Sequence, residues 1–250
     1  MDELTHHEWT RVTREAVSAA ILGCFARRLS GTWHENAITE AVLQAVGTSR
    51  SLHWAGRPFR CTWKAFKASG RFETANGDIA MKVSLHTGSG GVLTGTKCFE
   101  AKKRGLQTGQ YDAFDRAQLG RMQHLPGHEV LLYALHLPSS GGDPFSEAMC
   151  LPTPVAAMLF GSPAAELHRA AQSFTDVLTL ALLGRGLNFD PRHAEAFDAS
   201  FAALNAVPSF AIEASIAPLA LDLAPPQAPP GYEELAENEP ESFDDLSPSP

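Results

Sequence analysis

Residues 77–103, GDIAMKVSLHTGSGGVLTGTKCFEAKK, contain two apolar and β-branched runs separated by His86-Thr87-Gly88-Ser89-Gly90-Gly91. Glycines and short polar residues between such runs mark a turn, so the stretch reads as two consecutive β-strands. Asp78 stands at the start of the first strand, and Glu100-Ala101-Lys102 lies at the end of the second. Strand side chains alternate faces with period two, so Glu100 and Lys102 project from one side and Ala101 from the other. Two carboxylates and an amine then converge on one point. That composition suits a divalent hard cation held by oxygen ligands, with a lysine beside the water the cation activates.

Working outward, Trp9, Val12, Ala16, Ala19, Ala20 and Phe25 recur at near-helical spacing, and Gly31 follows as a stop. HENAITEAVLQAVG, residues 34–47, places Ile38, Val42 and Val46 in an i, i+4, i+8 stripe and predicts a second helix. Residues 51–69, rich in Trp, Phe, Arg and Lys, read as one or two strands. After Gly109, a helix is expected over YDAFDRAQLGRMQHL, with Tyr111, Phe114, Gln118 and Met122 in reach of one another and Pro126-Gly127 as its end. EVLLYALHL, Glu129–Leu137, is nearly continuous apolar sequence closed by Pro138, the pattern of a strand buried on both faces. Two further helical patterns span Pro163–Leu183 and Pro191–Leu204. Strands interleaved with helices predict an α/β fold of three layers, a mixed central sheet flanked by helices, over residues 1–221.

The chain has 250 residues, 44% of them hydrophobic, which accommodates one domain with a substantial core. Its net charge of −8 is unevenly placed: residues 222–250 hold eight acidic residues and neither Lys nor Arg, leaving 20 acidic and 20 basic residues in the remainder. The neutral part carries basic clusters at Arg57–Arg71 and Lys97–Arg104, so the overall charge does not exclude a phosphate-bearing substrate. Residues 222–250 are rich in proline and acid, and the expectation is a disordered tail. The tail reads as a solubilising extension; the sharper reading makes it a phosphate mimic in the basic cleft or a protein-partner segment through Tyr232, Leu235, Phe243 and Leu246. Cys24, Cys61, Cys98 and Cys150 form no CxxC pair, which argues against a zinc ribbon and for free thiols in a reducing compartment. MDELTHHEWTRV has no apolar core flanked by basic residues, and no run approaches a membrane span, so the expected setting is cytoplasmic with no membrane partner.

These residues resemble the PD-(D/E)xK, or restriction-endonuclease-like, nuclease superfamily. Gly77-Asp78 stands where the family has Pro-Asp, Glu100-Ala101-Lys102 matches the acid-x-Lys, and Glu35 of HENAIT is similar to the glutamate of the preceding helix. Gln118 of QLGRM resembles the glutamine of the helix after the signature, and the likeness covers about residues 33–138. The resemblance implies a restriction-endonuclease-like core and Mg²⁺-dependent hydrolysis of phosphodiesters, with Mn²⁺ as a substitute. Asp78, Glu100 and the carbonyl of Ala101 would be the metal ligands, Lys102 would orient the water or stabilise the phosphorus, and Glu35 would add a ligand directly or through water. Glu40 is five residues further on and points about 140° away, which leaves Glu35 as the inward acid. Gln118 would contact substrate or water, and Lys97, Lys103 and Arg104 would neutralise flanking phosphates. The bland alternatives are a solvated Glu35 in a first helical turn, an exposed Gln118 and solvated lysines.

The implied activity is that of a deoxyribonuclease, endonuclease before exonuclease and DNA before RNA, serving phage defence or restriction by analogy, with homodimerisation as one way to cut two strands. The alternative is a non-catalytic nucleic-acid-binding or assembly subunit with a nuclease-like fold. Other motifs fail on spacing. GGVLTGTK lacks glycine before its lysine and Ser/Thr after it, so it is not a P-loop; Ile38 occupies the second histidine position of HExxH; and Ser89 lacks the G-x-S-x-G frame.

Overall fold

A computed structural model describes residues 4–47, 51–53, 58–69, 77–112, 115–122, 127–138, 142–203 and 208–235. The first strand, β1 (Leu4–Thr5), leads into helix α1 (His6–Ala26). Thr5 caps this helix reciprocally: its hydroxyl accepts from the Glu8 N–H at 3.4 Å, and the Glu8 carboxylate accepts from the Thr5 N–H at 3.0 Å. Helix α2 (Glu35–Gly47) buries Ile38, Val42 and Val46, the stripe visible in the sequence. Strands β2 (Ser51–His53) and β3 (Phe59–Ala68) follow, then the hairpin β4 (Ile79–His86) and β5 (Val92–Lys103). Its register runs from Ile79 opposite Phe99 to His86 opposite Val92.

Helix α3 (Arg116–Met122) is shorter than the expected helix, because Tyr111 bridges Arg104 in extended conformation; Phe114 and Pro126 lie outside the described residues. Strand β6 (His128–His136) pairs on one side with β5 and on the other with β7 (Phe145–Pro152), and Val130 to Ala134 are fully buried. Then come α4 (Thr153–Met158), α5 (Ala164–Ala170), β8 (Gln172–Ser173), α6 (Phe174–Leu182), α7 (Pro191–Ala203), β9 (Phe210–Pro218) and β10 (Tyr232–Glu234).

The sheet is mixed, with strand order β1-β2-β3-β9-β4-β5-β6-β7-β8, and β10 pairs with β3. Pairs β4–β9 and β5–β6 are parallel, whereas β3–β9, β4–β5 and β6–β7 are antiparallel. Helices α1, α2 and α6 pack on one face, where Trp9 meets Trp63 and Phe174 meets Phe99 edge to face. Helices α3, α4 and α5 cover the opposite face over Val130, Leu132 and Leu151, and α7 covers the same side over Ala80 and Ala211. Among the described residues, no helix is long and apolar enough to cross a membrane.

Two further expectations change. Residues 163–183, which read as a single helix, form α5 and α6 separated by β8. The two helices bury side chains against opposite faces of the sheet, so the chain must cross its edge, where Cys150 pairs with Gln172 and Met149 with Ser173. The tail boundary also moves. Residues 222–235 lie among the described residues, and Tyr232–Glu234 add to β3, with Tyr232 opposite Ala68. The Tyr232 ring is buried against Phe201, and its hydroxyl donates to the Pro208 carbonyl, so one aromatic anchor outweighs the proline-rich composition around it. Residues 236–250 lie outside the described residues.

Candidate active site

Strand β5 outruns its partner. Strand β4 begins at Ile79 opposite Phe99, so residues 100–103 have β6 on one side and no β4 residue on the other. The backbone N–H groups on that open edge need acceptors. Asp78, one residue before β4, supplies one: its carboxylate accepts from the Ala101 N–H at 2.8 Å. Glu35, the first residue of α2, lies against the Lys103 N–H, and the Lys103 carbonyl accepts from the Asp112 N–H at 2.9 Å. Satisfying an unpaired strand end thus draws acids from two distant segments to the same place. A strand residue directs its N–H and C=O toward the same neighbour, so the Ala101 carbonyl faces this edge as well.

Glu100 and Lys102 project from the face covered by α3, as their register with Val130 and Leu132 requires. The Lys102 ammonium lies 2.7 Å from Glu100 Oε1 and 3.6 Å from Glu35 Oε2. Gln118, on α3, donates to the same Glu100 oxygen at 2.8 Å. The other oxygen, Oε2, is buried and has no hydrogen-bond partner among the described residues. An orphaned carboxylate oxygen in a buried site is costly unless something positive meets it.

The electrostatics point the same way. Three carboxylates, Asp78, Glu100 and Glu35, surround the Lys102 ammonium. Burial, then repulsion from Glu100, pushes Asp78 up to about 7; burial likewise raises Glu35, against the attraction of Lys102. Burial alone would lower Lys102, but the charge of Glu100, reinforced by its hydrogen bond and by Glu35, raises it above its ordinary value. The cluster sets three carboxylates around one ammonium and is short of positive charge. The residues fit a hard cation: carboxylates of Asp78 and Glu100 and the Ala101 carbonyl are oxygen donors, one of them unengaged.

Position by position, Asp78, Glu100, Ala101, Lys102, Glu35 and Gln118 come together, and Gln118 meets Glu100 rather than standing free on its helix. Glu40 turns away and pairs with Lys67 at 2.7 Å. The expectation for Lys97 does not hold. It points to the face opposite Glu100, is 4% exposed, and is held by Glu129 at 2.6 Å and by the Gly186 carbonyl at 3.2 Å. An odd number of residues separates faces on a strand, so closeness in sequence to Glu100 placed it on the wrong side. Lys103 pairs with Asp112 at 2.8 Å and Arg104 donates to the Gly109 carbonyl at 2.6 Å, so both brace the 105–112 loop.

Sequence reasoning passed over His128. Its Nδ1 lies 2.7 Å from the Thr153 hydroxyl, and its buried Nε2 has no partner among the described residues; burial holds it down at about 4, hence neutral. It packs beneath Gly77, where an added Cβ would sit 2.7 Å from the Phe99 carbonyl oxygen and 3.1 Å from His128 Nε2. With φ at +100°, Gly77 holds a conformation closed to proline, which accounts for the missing proline before Asp78. No family model, no curated protein and no solved structure matches the chain.

Proposed function

We propose that the protein is a Mg²⁺-dependent nuclease, cutting DNA before RNA, whose core is of the restriction-endonuclease-like kind. The observation that carries this reading is the buried, unengaged Oε2 of Glu100 beside Asp78 and Lys102 on the open edge of β5. The order α2, β4–β5, α3, β6 that builds the site also follows the order of the resemblance.

Asp78, Glu100 and the Ala101 carbonyl would hold the cation, which supplies charge neutralisation at the scissile phosphate and acidifies water. Lys102 keeps its proton at neutral pH, because Glu100 and Glu35 raise its affinity for it. It therefore acts as a donor and point charge toward the phosphate and is not the base. Glu35, lifted by burial, offers the acceptor oxygen for the proton that water gives up as it forms the new P–O bond. The P–O bond to the leaving oxygen breaks, and that oxygen takes a proton from solvent water, leaving a phosphomonoester end and a hydroxyl end. Gln118 holds Glu100 in orientation through its 2.8 Å hydrogen bond.

The test is cleavage of double-stranded DNA, single-stranded DNA and RNA with Mg²⁺ or Mn²⁺ and with EDTA, comparing wild type with Glu100→Ala and Lys102→Ala. Metal-dependent cutting that falls by about 10³-fold in each variant is expected, since several kcal/mol of charge stabilisation is removed. Equal cutting by all three proteins would remove the site. No cutting of any polymer by wild type would favour a binding or assembly subunit.

A further inference from the structure

A second cluster lies on the α3–α5 face of the sheet, further along β6. His136 closes β6, Glu147 stands on β7 opposite Ala134, and His168 lies in the last turn of α5. His136 is four residues beyond Leu132, the partner of Lys102, or about 13 Å along the strand. His136 Nε2 and His168 Nε2 each lie 3.0 Å from the same oxygen of Glu147, Oε2, and the three groups offer atoms all within 4.8 Å of one another.

From this geometry we propose that His136, Glu147 and His168 form a binding site for a transition-metal ion of the Zn²⁺ class. Two imidazole nitrogens with one carboxylate are a borderline donor set, suited to Zn²⁺ or Co²⁺ and poorly suited to Mg²⁺. Ligand atoms bound at about 2.0–2.2 Å to one tetrahedral ion stand about 3.3–3.6 Å apart, so the two 3.0 Å nitrogen–oxygen spacings need a small opening, within a trio whose atoms all lie within 4.8 Å. A plain hydrogen-bonded trio explains the cluster less well. His136 Nε2 is buried, and it shares its neighbour Glu147 Oε2 with His168 Nε2, so two ring nitrogens converge on a single carboxylate oxygen.

The donors are also held in place. The His136 ring stacks on Phe145 with centroids 4.4 Å apart at 8°, and it meets His168 edge to face at 5.5 Å. Glu147 is fixed by the β6–β7 ladder. Three protein ligands leave a fourth position for water, and each side chain remains partly exposed, so an ion can enter from solvent. The donor sets separate the two sites chemically: oxygens at Asp78 and Glu100, nitrogen-rich here.

The full-length protein, stripped of metal with EDTA and dialysed, is titrated with Zn²⁺ by calorimetry and with Co²⁺ by visible absorption. Wild type is expected to bind one equivalent tightly, and Co²⁺ to show the d–d bands of a site with nitrogen donors. His168→Gln and Glu147→Gln should each weaken binding by about 100-fold, and Glu100→Gln should leave it unchanged. Circular dichroism checks folding, and His168, on a short surface helix, is the variant least exposed to a folding defect. Tight binding that survives both His168→Gln and Glu147→Gln, binding lost in Glu100→Gln, or no tight equivalent in wild type would each overturn the proposal. None of these readouts depends on nuclease activity.

Discussion

Glu213 shows how burial sets the behaviour of a single residue. It stands on β9 opposite Lys82 of β4, whose ammonium is engaged by Asp198 at 2.5 Å. Burial pushes its carboxyl from 4.5 up to about 7, opposed by Lys82 and reinforced by Asp198. Between those two values the folded chain holds a proton that the unfolded chain has lost, so stability falls as pH rises through the window. Glu213→Gln is expected to lose that fall and to be more stable than wild type above the window by on the order of 1–3 kcal/mol. Thermal denaturation from about pH 4 to 8 measures it. Gly77 makes a steric demand instead. Gly77→Ala drives a methyl toward the Phe99 carbonyl at positive φ and should cost about 1–3 kcal/mol in denaturant unfolding, while displacing Asp78 and reducing cleavage. Gln118→Ala, which removes one hydrogen bond to Glu100, should lower cleavage by about 10-fold while costing only about 1 kcal/mol of stability.

Among the elements, β10 and β5 make opposite use of a strand edge. Strand β10 covers the end of β3 that β2 leaves free, and the Leu235 N–H continues the pairing to the Ala65 carbonyl. A chain ending after Leu235 is therefore expected to melt with the full-length protein, whereas one ending after Gly231 should lose several degrees. Tyr232→Ala should cost about 3–5 kcal/mol and Tyr232→Phe about 1 kcal/mol, because the first empties a buried ring site and the second removes one hydrogen bond. Strand β5 leaves its last four residues open to acids instead of to a strand, and that opening makes the site. Helices α1 and α2 and the β4–β5 hairpin were legible because apolar stripes, a stop glycine and turn glycines are local signals. Strands β7 and β9, rich in Ala, Ser, Glu and Met, carry a weaker strand signature and take their form from the neighbours they pair with.

For the whole molecule, charge is unevenly placed: residues 1–221 are neutral and the acids in excess all follow. Residues 236–250 carry five acids and no Lys or Arg, and they repel a polyanion wherever they lie. Ending the chain after Leu235 should tighten binding to labelled DNA a few-fold at low salt. Fluorescence anisotropy should show the difference vanish near 1 M salt, where the Debye length is about 3 Å. The sequence by itself determined the α/β class, the hairpin and the shared face of Glu100 and Lys102, because period-two alternation and turn chemistry act within a few residues. Only the tertiary structure decided that β9 enters the sheet between β3 and β4, that Lys97 is spent on Glu129, and that Glu35 reaches the open end of β5. It alone brought His136, Glu147 and His168 together. Those outcomes turn on which distant groups satisfy buried charges and unpaired backbone, and pairing between residues far apart along the chain leaves no local pattern to read.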